Sequence, residues 1–208
     1  MHQPFIFFGV AVALTLTFNA HAQVGKCTPT TPQPNQARTT VKHRPLPSPQ
    51  VKAKSIKVTE VLAWDPPAGV DTNKKLRSSS TTIDPKEKQV YIIEADVQLA
   101  KIEGNDCDVH LEISERGAGK NGDRMIVEIP KDVSPGARNT LLAALHVDLT
   151  EVQKYEPDPS LKITVTGYGF WDGAHYSPSN PKQGHSHGST NVKNLWELHP
   201  VSKVVVTP

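Results

Sequence analysis

The feature that most limits the fold is the order of periodic runs between residues 89 and 206. In QVYIIEADVQLAKIE, residues 89–103, Ile93, Ala95, Val97 and Leu99 alternate with Glu94, Asp96 and Gln98. That two-residue period belongs to a half-buried strand. The apolar phase slips between Leu99 and Ile102, which predicts a bulge or bend. DVHLEI (108–113) and RMIVEIP (124–130) read as two further strands, joined through the glycine-rich hairpin RGAGKNGD (116–123). One helix follows. Ser134-Pro135 supplies an N-cap and a first-turn proline, and Ala137, Leu141, Ala144 and Leu145 recur at helical spacing to about His146. LKITVTGYGFW (161–171) and LWELHPVSKVVV (195–206) finish as strands. Three strands, a helix and two strands is the order of a five-stranded OB barrel, with the helix plugging one end. An all-β fold with one helix, an OB-like barrel, is therefore expected within 53–208. The alternation in SIKVTEVLAW (55–64) predicts an extra edge strand, or a partner for the start of the long strand.

The front of the chain is different. FIFFGVAVALTLTF (5–18) is apolar but short for a bilayer span, and Ala20-His21-Ala22 has the small-x-small pattern of a signal peptidase site. A signal peptide over 1–22 is expected, and with it an exported protein, periplasmic or extracellular, with no transmembrane segment in the mature chain. Residues 23–52, including TPTTPQPNQARTTVKHRPLPSPQ, are rich in Pro, Thr and Gln and lack an apolar period. Such a composition predicts a disordered tether, because it cannot bury enough surface to offset the entropy of ordering. Lys42, His43, Arg44, Lys52, Lys54 and Lys57 then read as solvated linker charge. The chain has two cysteines, Cys27 and Cys107. In an oxidising compartment they are expected to pair, and closing so long a loop stabilises by roughly 4 kcal/mol.

With 23 basic and 21 acidic residues, the charge balance calls for neither nucleic acid nor a membrane surface. The candidate site comes from parity. Asp108, His110 and Glu112 share one strand face, as do Glu197 and His199, while Asp172 and His175 close the fourth strand. His110, His175, Glu197 and His199 are donor types that hold Zn²⁺ or another divalent metal, and such groups also do general acid/base work. Parity fixes the face and not the distance between strands. The plain alternative is polar strand faces in water and hydrogen-bonded rim histidines. His185 and His187 of GHSHG (184–188) read as exposed histidines of a loop tip that could take up Zn²⁺ or Cu²⁺ weakly. Nucleic acid is a weaker partner. Tyr168 and Phe170 share a face and Arg116, Lys120 and Arg124 surround a hairpin, but Asp108, Glu112 and Glu197 would repel phosphate. Asp106 and Asp108 echo the metal-binding carboxylates of thermonuclease-type OB enzymes, without the arginines that family carries.

DVHLEI, MIVEIP, VTGYGFWDGAH and WELHPV, in that order, resemble a group of short, largely uncharacterised exported bacterial proteins taken to be OB-fold domains. Their shared pattern is a D-x-H-L strand, M-I-x-E-x-P, a VTG strand ending near Asp and His, and a terminal E-L-H-P-V. The resemblance covers residues 90–206 and implies fold and compartment, with no established reaction. This chain departs from the pattern in its Pro/His-rich segment between 177 and 190 and in carrying Cys107.

The expected function is an exported OB-like binding or interaction module. The alternative is a metal-dependent hydrolase, phosphodiesterase- or nuclease-like, built on the His/Glu/Asp cluster; a structural envelope role is a third class. No cofactor is dictated beyond a divalent metal such as Zn²⁺, and a monomer is expected. The mature protein should begin at Gln23; intact-mass measurement of exported protein that retains residues 1–22 would contradict this.

Overall fold

The computed structural model describes residue 27 and residues 38–104, 106–147, 154–185 and 187–207. The signal-peptide reading and most of the 23–52 tract lie outside the described residues. The strands are β1 (Lys54–Ser55), β2 (Val90–Ile102), β3 (Val109–Glu115), β4 (Arg124–Ile129), β5 (Leu161–Trp171) and β6 (Val192–Val206). The helices are α1 (Thr39–Lys42), α2 (Val58–Leu62), α3 (Lys74–Arg77) and α4 (Pro135–Leu145), with 3₁₀ turns at Pro85–Lys88 and Gly173–His175.

The sheet order is β1-β2-β3-β4-β6-β5, and β2 also pairs with β5. Five strands thus close into a barrel and β1 is an addition at its edge. β4 and β6 run parallel, and the other barrel pairs are antiparallel. With α4 between the third and fourth barrel strands, this is the OB-like arrangement expected from the element order. The long β2 serves both neighbours. Its register against β3 shifts between Val97 and Leu99, just before the predicted phase slip.

Inside the barrel, Ile93, Ala95, Val97, Val109, Leu111, Ile113, Val127, Ile163 and Val165 are fully buried. α4 packs Leu141, Leu142 and Leu145 inward, and Ser134 at its start donates its hydroxyl to the Val201 carbonyl of β6. Cys27 and Cys107 form a disulfide with Cα atoms 5.6 Å apart. Lys131 Nζ holds the Cys27 carbonyl at 2.7 Å, and Arg138 of α4 donates to the Cys107 carbonyl at 2.6 Å.

Segment 55–64 departs from its strand expectation. Only Lys54 and Ser55 pair, in parallel with Tyr91 and Ile92 at the start of the long strand. Val58–Leu62 is helical instead. Val58 and Val61, spaced i,i+3, bury one face, and Glu60 accepts from the Lys57 backbone N–H at the helix start. Asn194 of β6 donates its side-chain amide to the carbonyls of Val61, Leu62 and Trp64, and Trp196 donates to Asp65 O at 2.9 Å. These side-chain donors satisfy the end of the helix and override the local β-propensity.

Residues 38–48 also differ from a solvated linker. Arg38 and Val41 are buried, and the segment lies as a strap against the barrel. Arg38 pairs with fully buried Glu87. The Glu87 carboxylate also accepts from the backbone N–H groups of Ile83 and Trp171. Arg44 stacks on the Tyr168 ring at 4.0 Å and donates to the carbonyls of Glu87, Gly169 and His199. Composition correctly finds no apolar period here; the strap is held by guanidinium groups instead.

Where β5 meets β6, a Cβ on Gly167 would lie 2.9 Å from the Pro200 carbonyl oxygen and 3.1 Å from Val201 Cα. Both are backbone atoms, so neither yields cheaply. Gly167→Val should cost about 1–3 kcal/mol in urea unfolding; an unchanged midpoint would show that the two strands can part without penalty.

Candidate metal centre

The site is built on the outer face of β3, β4, β6 and β5. Cross-strand register sets His110 opposite Glu128, Ile126 opposite Glu197, and Phe170 opposite Glu197. In an open sheet this face would be wet. Here the strap covers it from one side and residues 173–185 and 187–191 from the other. Asp108, His110, Glu112, Glu128, Glu197 and His199 are all buried.

The covering segment depends on one glycine. Gly184 has φ +62°, and a Cβ there would fall 2.1 Å from the His175 carbonyl oxygen. With no side chain in the way, His185 N donates to that carbonyl at 2.9 Å. The chain then delivers His187 inward, 6% exposed. The loop-tip expectation holds for exposed His185 and fails for His187, because the turn pins the segment to the barrel.

Two clusters of side chains stand out. In the first, Asp172 Oδ2 is 2.5 Å from His175 Nδ1 and 3.7 Å from His187 Nε2. Glu197 Oε1 lies 2.7 Å from the same His187 nitrogen. In the second, His199 Nδ1 is 2.8 Å from Glu128 Oε2 and 3.7 Å from Glu197 Oε2, and Nε2 is 3.5 Å from Asp108 Oδ2. These contacts are close, yet neither His199 nitrogen is aligned for a hydrogen bond. On the same face, His110 Nδ1 is 3.3 Å from Glu128 Oε1 and 3.5 Å from Glu103 Oε1. The sets Asp172–His175–His187, Glu128–Glu197–His199, Glu103–His110–Glu128 and His43–Asp108–His199 each bring three potential ligand atoms within 4.8 Å of one another.

A cavity of about 410 Å³ lies between these walls, lined on one side by Asp172, His175 and His187 and on the other by Glu103, His110 and Glu128. Lys42 also lines it, its Nζ 3.3 Å from Glu128 Oε2. Lys101 pairs with Glu103 at 2.6 Å. Asp172 and Glu197 have imidazoles, and no lysine or arginine, within 4.0 Å among the described residues.

Burial and charge compete throughout. Burial alone would lower the Lys42 pKa, but Glu128, Asp172, Glu197 and Asp106 hold it well above the ordinary lysine value. Burial would likewise raise Glu128, yet Lys42, His110 and His199 keep it well below the usual carboxylate range. Asp172 is also depressed, against its burial, chiefly by the hydrogen bond from His175. Asp106 goes the other way, pushed to about 6 by burial and by Asp108 and Glu128. For His199 burial is outweighed by Asp108, Glu128 and Glu197, which raise it to about 10.

Of the residues singled out from sequence, His110 and Glu197 line the cavity with Asp172 and His175, while His199 and Asp108 lie buried beside them. His110, His175, Glu197 and His199 are distributed over four ligand sets instead of forming a single one; three of the sets are linked through Glu128 and His199, and the set with His175 stands apart. Glu112 is turned to structure: it accepts from Arg124 at 2.9 Å and from Ser189 N at 2.7 Å. Phe170 is fully buried under Arg38 and Lys42, and Tyr168 is capped by Arg44, so this aromatic pair offers no open stacking platform. Glu128 and Glu103 are absent from the sequence expectations, while Lys42 and His187, expected as linker charge and a loop tip, instead line the cavity. Glu128 carried a usable signal, since it shares strand parity with Ile126 and sits opposite His110.

No family profile, curated protein or solved structure matches the chain. No helix among the described residues is long and apolar enough to cross a membrane.

The His199 shift makes a pH prediction. A folded-state pKa near 10 against an ordinary 6.5 means that its ion pairing stabilises metal-free protein fully below about pH 6.5. That contribution fades as pH rises towards 10. The difference in urea midpoint between wild type and His199→Gln, both metal-stripped, should be larger at pH 6 than at pH 9.5; a constant difference would contradict the assignment.

Proposed function

We infer that the protein is an exported OB-like binding module whose ligand is a divalent transition metal ion, held where residues 173–185 and 187–191 close over the barrel face. The observation that carries this reading is the convergence of Asp172, His175, His187 and Glu197 at the cavity wall. Two imidazoles and two carboxylates suit Zn²⁺. Ligand atoms of a tetrahedral zinc lie roughly 3.3 Å apart, given metal–ligand distances near 2.0–2.1 Å. The 3.7 Å between Asp172 Oδ2 and His187 Nε2 is close to that value, and the shorter contacts of Asp172 with His175 (2.5 Å) and His187 with Glu197 (2.7 Å) would open around an ion. His187 Nδ1 and Glu197 Oε2 are buried without hydrogen-bond partners, a costly state that the field of a nearby cation would offset for the carboxylate. The Cys27–Cys107 bond fits an oxidising compartment. The resemblance of DVHLEI, MIVEIP, VTGYGFWDGAH and WELHPV to exported bacterial OB-like proteins supports the same location.

A second reading, a metal-dependent hydrolase acting on phosphodiesters, is favoured by His110. Its Nδ1 faces Glu128 while its Nε2 is without a partner in the cavity wall. A carboxylate-oriented imidazole beside a metal is the arrangement of a general base.

Calorimetric titration of metal-stripped protein with Zn²⁺ tests the first reading. His187→Ala should weaken binding by about 100-fold or more, whereas exposed His185→Ala should leave it within about threefold. No binding by wild type, or equal binding by His187→Ala, would refute it. For the second reading, Zn²⁺-loaded protein should hydrolyse bis(p-nitrophenyl) phosphate. His110→Ala should still bind Zn²⁺ and lose about 100-fold or more in rate; no turnover by wild type would leave a binding module only.

A further inference from the structure

Glu197 faces two ligand sets at once. Its Oε1 lies 2.7 Å from the Nε2 of His187, a member of the Asp172–His175–His187 set. Its Oε2 lies 3.7 Å from His199 Nδ1 and has no hydrogen-bond partner, although the residue is 1% exposed. On that second side His199 is fully buried, and both of its ring nitrogens approach carboxylates without hydrogen-bond alignment. Two of these atoms, Glu197 Oε2 and His199 Nδ1, face each other 3.7 Å apart without satisfying one another, while Nε2 faces Asp108 on the other side of the ring. Buried polar atoms left in this state normally have a ligand, ion or water to meet.

We propose that the cavity holds two divalent cations, one on each side of Glu197, with its carboxylate as the bridge. This rests on the metal-binding reading above for the first position, which takes Asp172, His175, His187 and Glu197 Oε1. The second position takes Glu128, His199 and Glu197 Oε2, whose potential ligand atoms all lie within 4.8 Å of one another. A carboxylate-bridged pair of ions about 3.5–4 Å apart is the geometry of two-metal centres. Both positions mix imidazole and carboxylate, a donor set suited to Zn²⁺ or Mn²⁺.

Lys42 adds to the positive charge at the second position in metal-free protein. Its ammonium lies 3.3 Å from Glu128 Oε2, and it is carried on the strap instead of the barrel. A four-carbon side chain can swing aside when a divalent ion takes over its carboxylate, so the second ion binds in competition with Lys42. A bound pair would give the cavity the charge to take an oxyanion, the group a phosphodiester presents.

The test uses the full chain, stripped of metal, with Zn²⁺ for calorimetric stoichiometry and Mn²⁺ for electron paramagnetic resonance. Wild type should bind two ions per chain and give an exchange-coupled Mn²⁺ spectrum. His199→Gln should bind one ion and give an uncoupled spectrum. Wild type binding one ion would overturn the second position and leave the single-metal reading standing; no ion at all would overturn both. Two ions that persist in His199→Gln, or two uncoupled Mn²⁺ ions in wild type, would place the second ion away from Glu197 and overturn the bridge. Lys42→Met covers the case in which His199→Gln does not fold. It should tighten the second ion by about tenfold by removing a like charge, and unchanged affinity would overturn the competition.

Discussion

The structure depends on keeping a group of carboxylates out of water on one face of the barrel. Asp108, Glu128, Asp172 and Glu197 are each less than a tenth exposed. Unpaired, buried carboxylates would take up protons or force the covering segments open. Glu128 and Asp172 instead stay well within their ionised range, held by Lys42 and by the imidazoles of His110, His175, His187 and His199. Asp106, pushed to about 6, shows what the same surroundings do to a carboxyl with less cationic support. Charge balance of this kind gives no simple gain in stability, since ion pairs that are buried seldom repay their desolvation. Such a collection is expensive to keep for packing alone, and the proposed metal binding would give it a use.

Two covers make the burial possible. The strap of residues 38–48 is fastened through Arg38 to Glu87, a carboxylate that also receives the Trp171 N–H one residue before Asp172. One buried acid therefore connects the strap to the end of β5, where the first ligand set begins. Arg44 adds a second fastening on the carbonyls of Gly169 and His199. The other cover, residues 173–185 and 187–191, is fixed by the Gly184 turn against His175 and by Ser189, whose N–H and hydroxyl both reach Glu112. Glu112 is in turn held by Arg124. A residue that parity suggested for the site thus anchors the segment that delivers His187.

The barrel was legible because its signals are local. Alternation in β2, β3 and β4, the glycine hairpin and the helix placed between the third and fourth barrel strands define the topology without knowledge of distant contacts. The strap was illegible for the opposite reason. It has no apolar period, and its anchors are long-range pairs such as Arg38 with Glu87 and Arg44 with Gly169. Segment 58–62 misled because Val58 and Val61 fit a strand-rich composition as well as a short helix, and Asn194, more than 130 residues away, decides between them. In the site, parity found Asp108, His110, Glu197 and His199 but could not show that their face is covered. His187 was hidden by its Gly/Ser-rich surroundings, whose composition reads as a mobile tip unless the Gly184 turn is known.

We propose that this covered face is a metal centre. This is tested most directly by anomalous X-ray scattering at the zinc edge from crystals of the protein grown with Zn²⁺. An anomalous peak bounded by Asp172, His175, His187 and Glu197 is expected. A peak confined to surface His185, or none within the cavity at full zinc occupancy elsewhere, would contradict it.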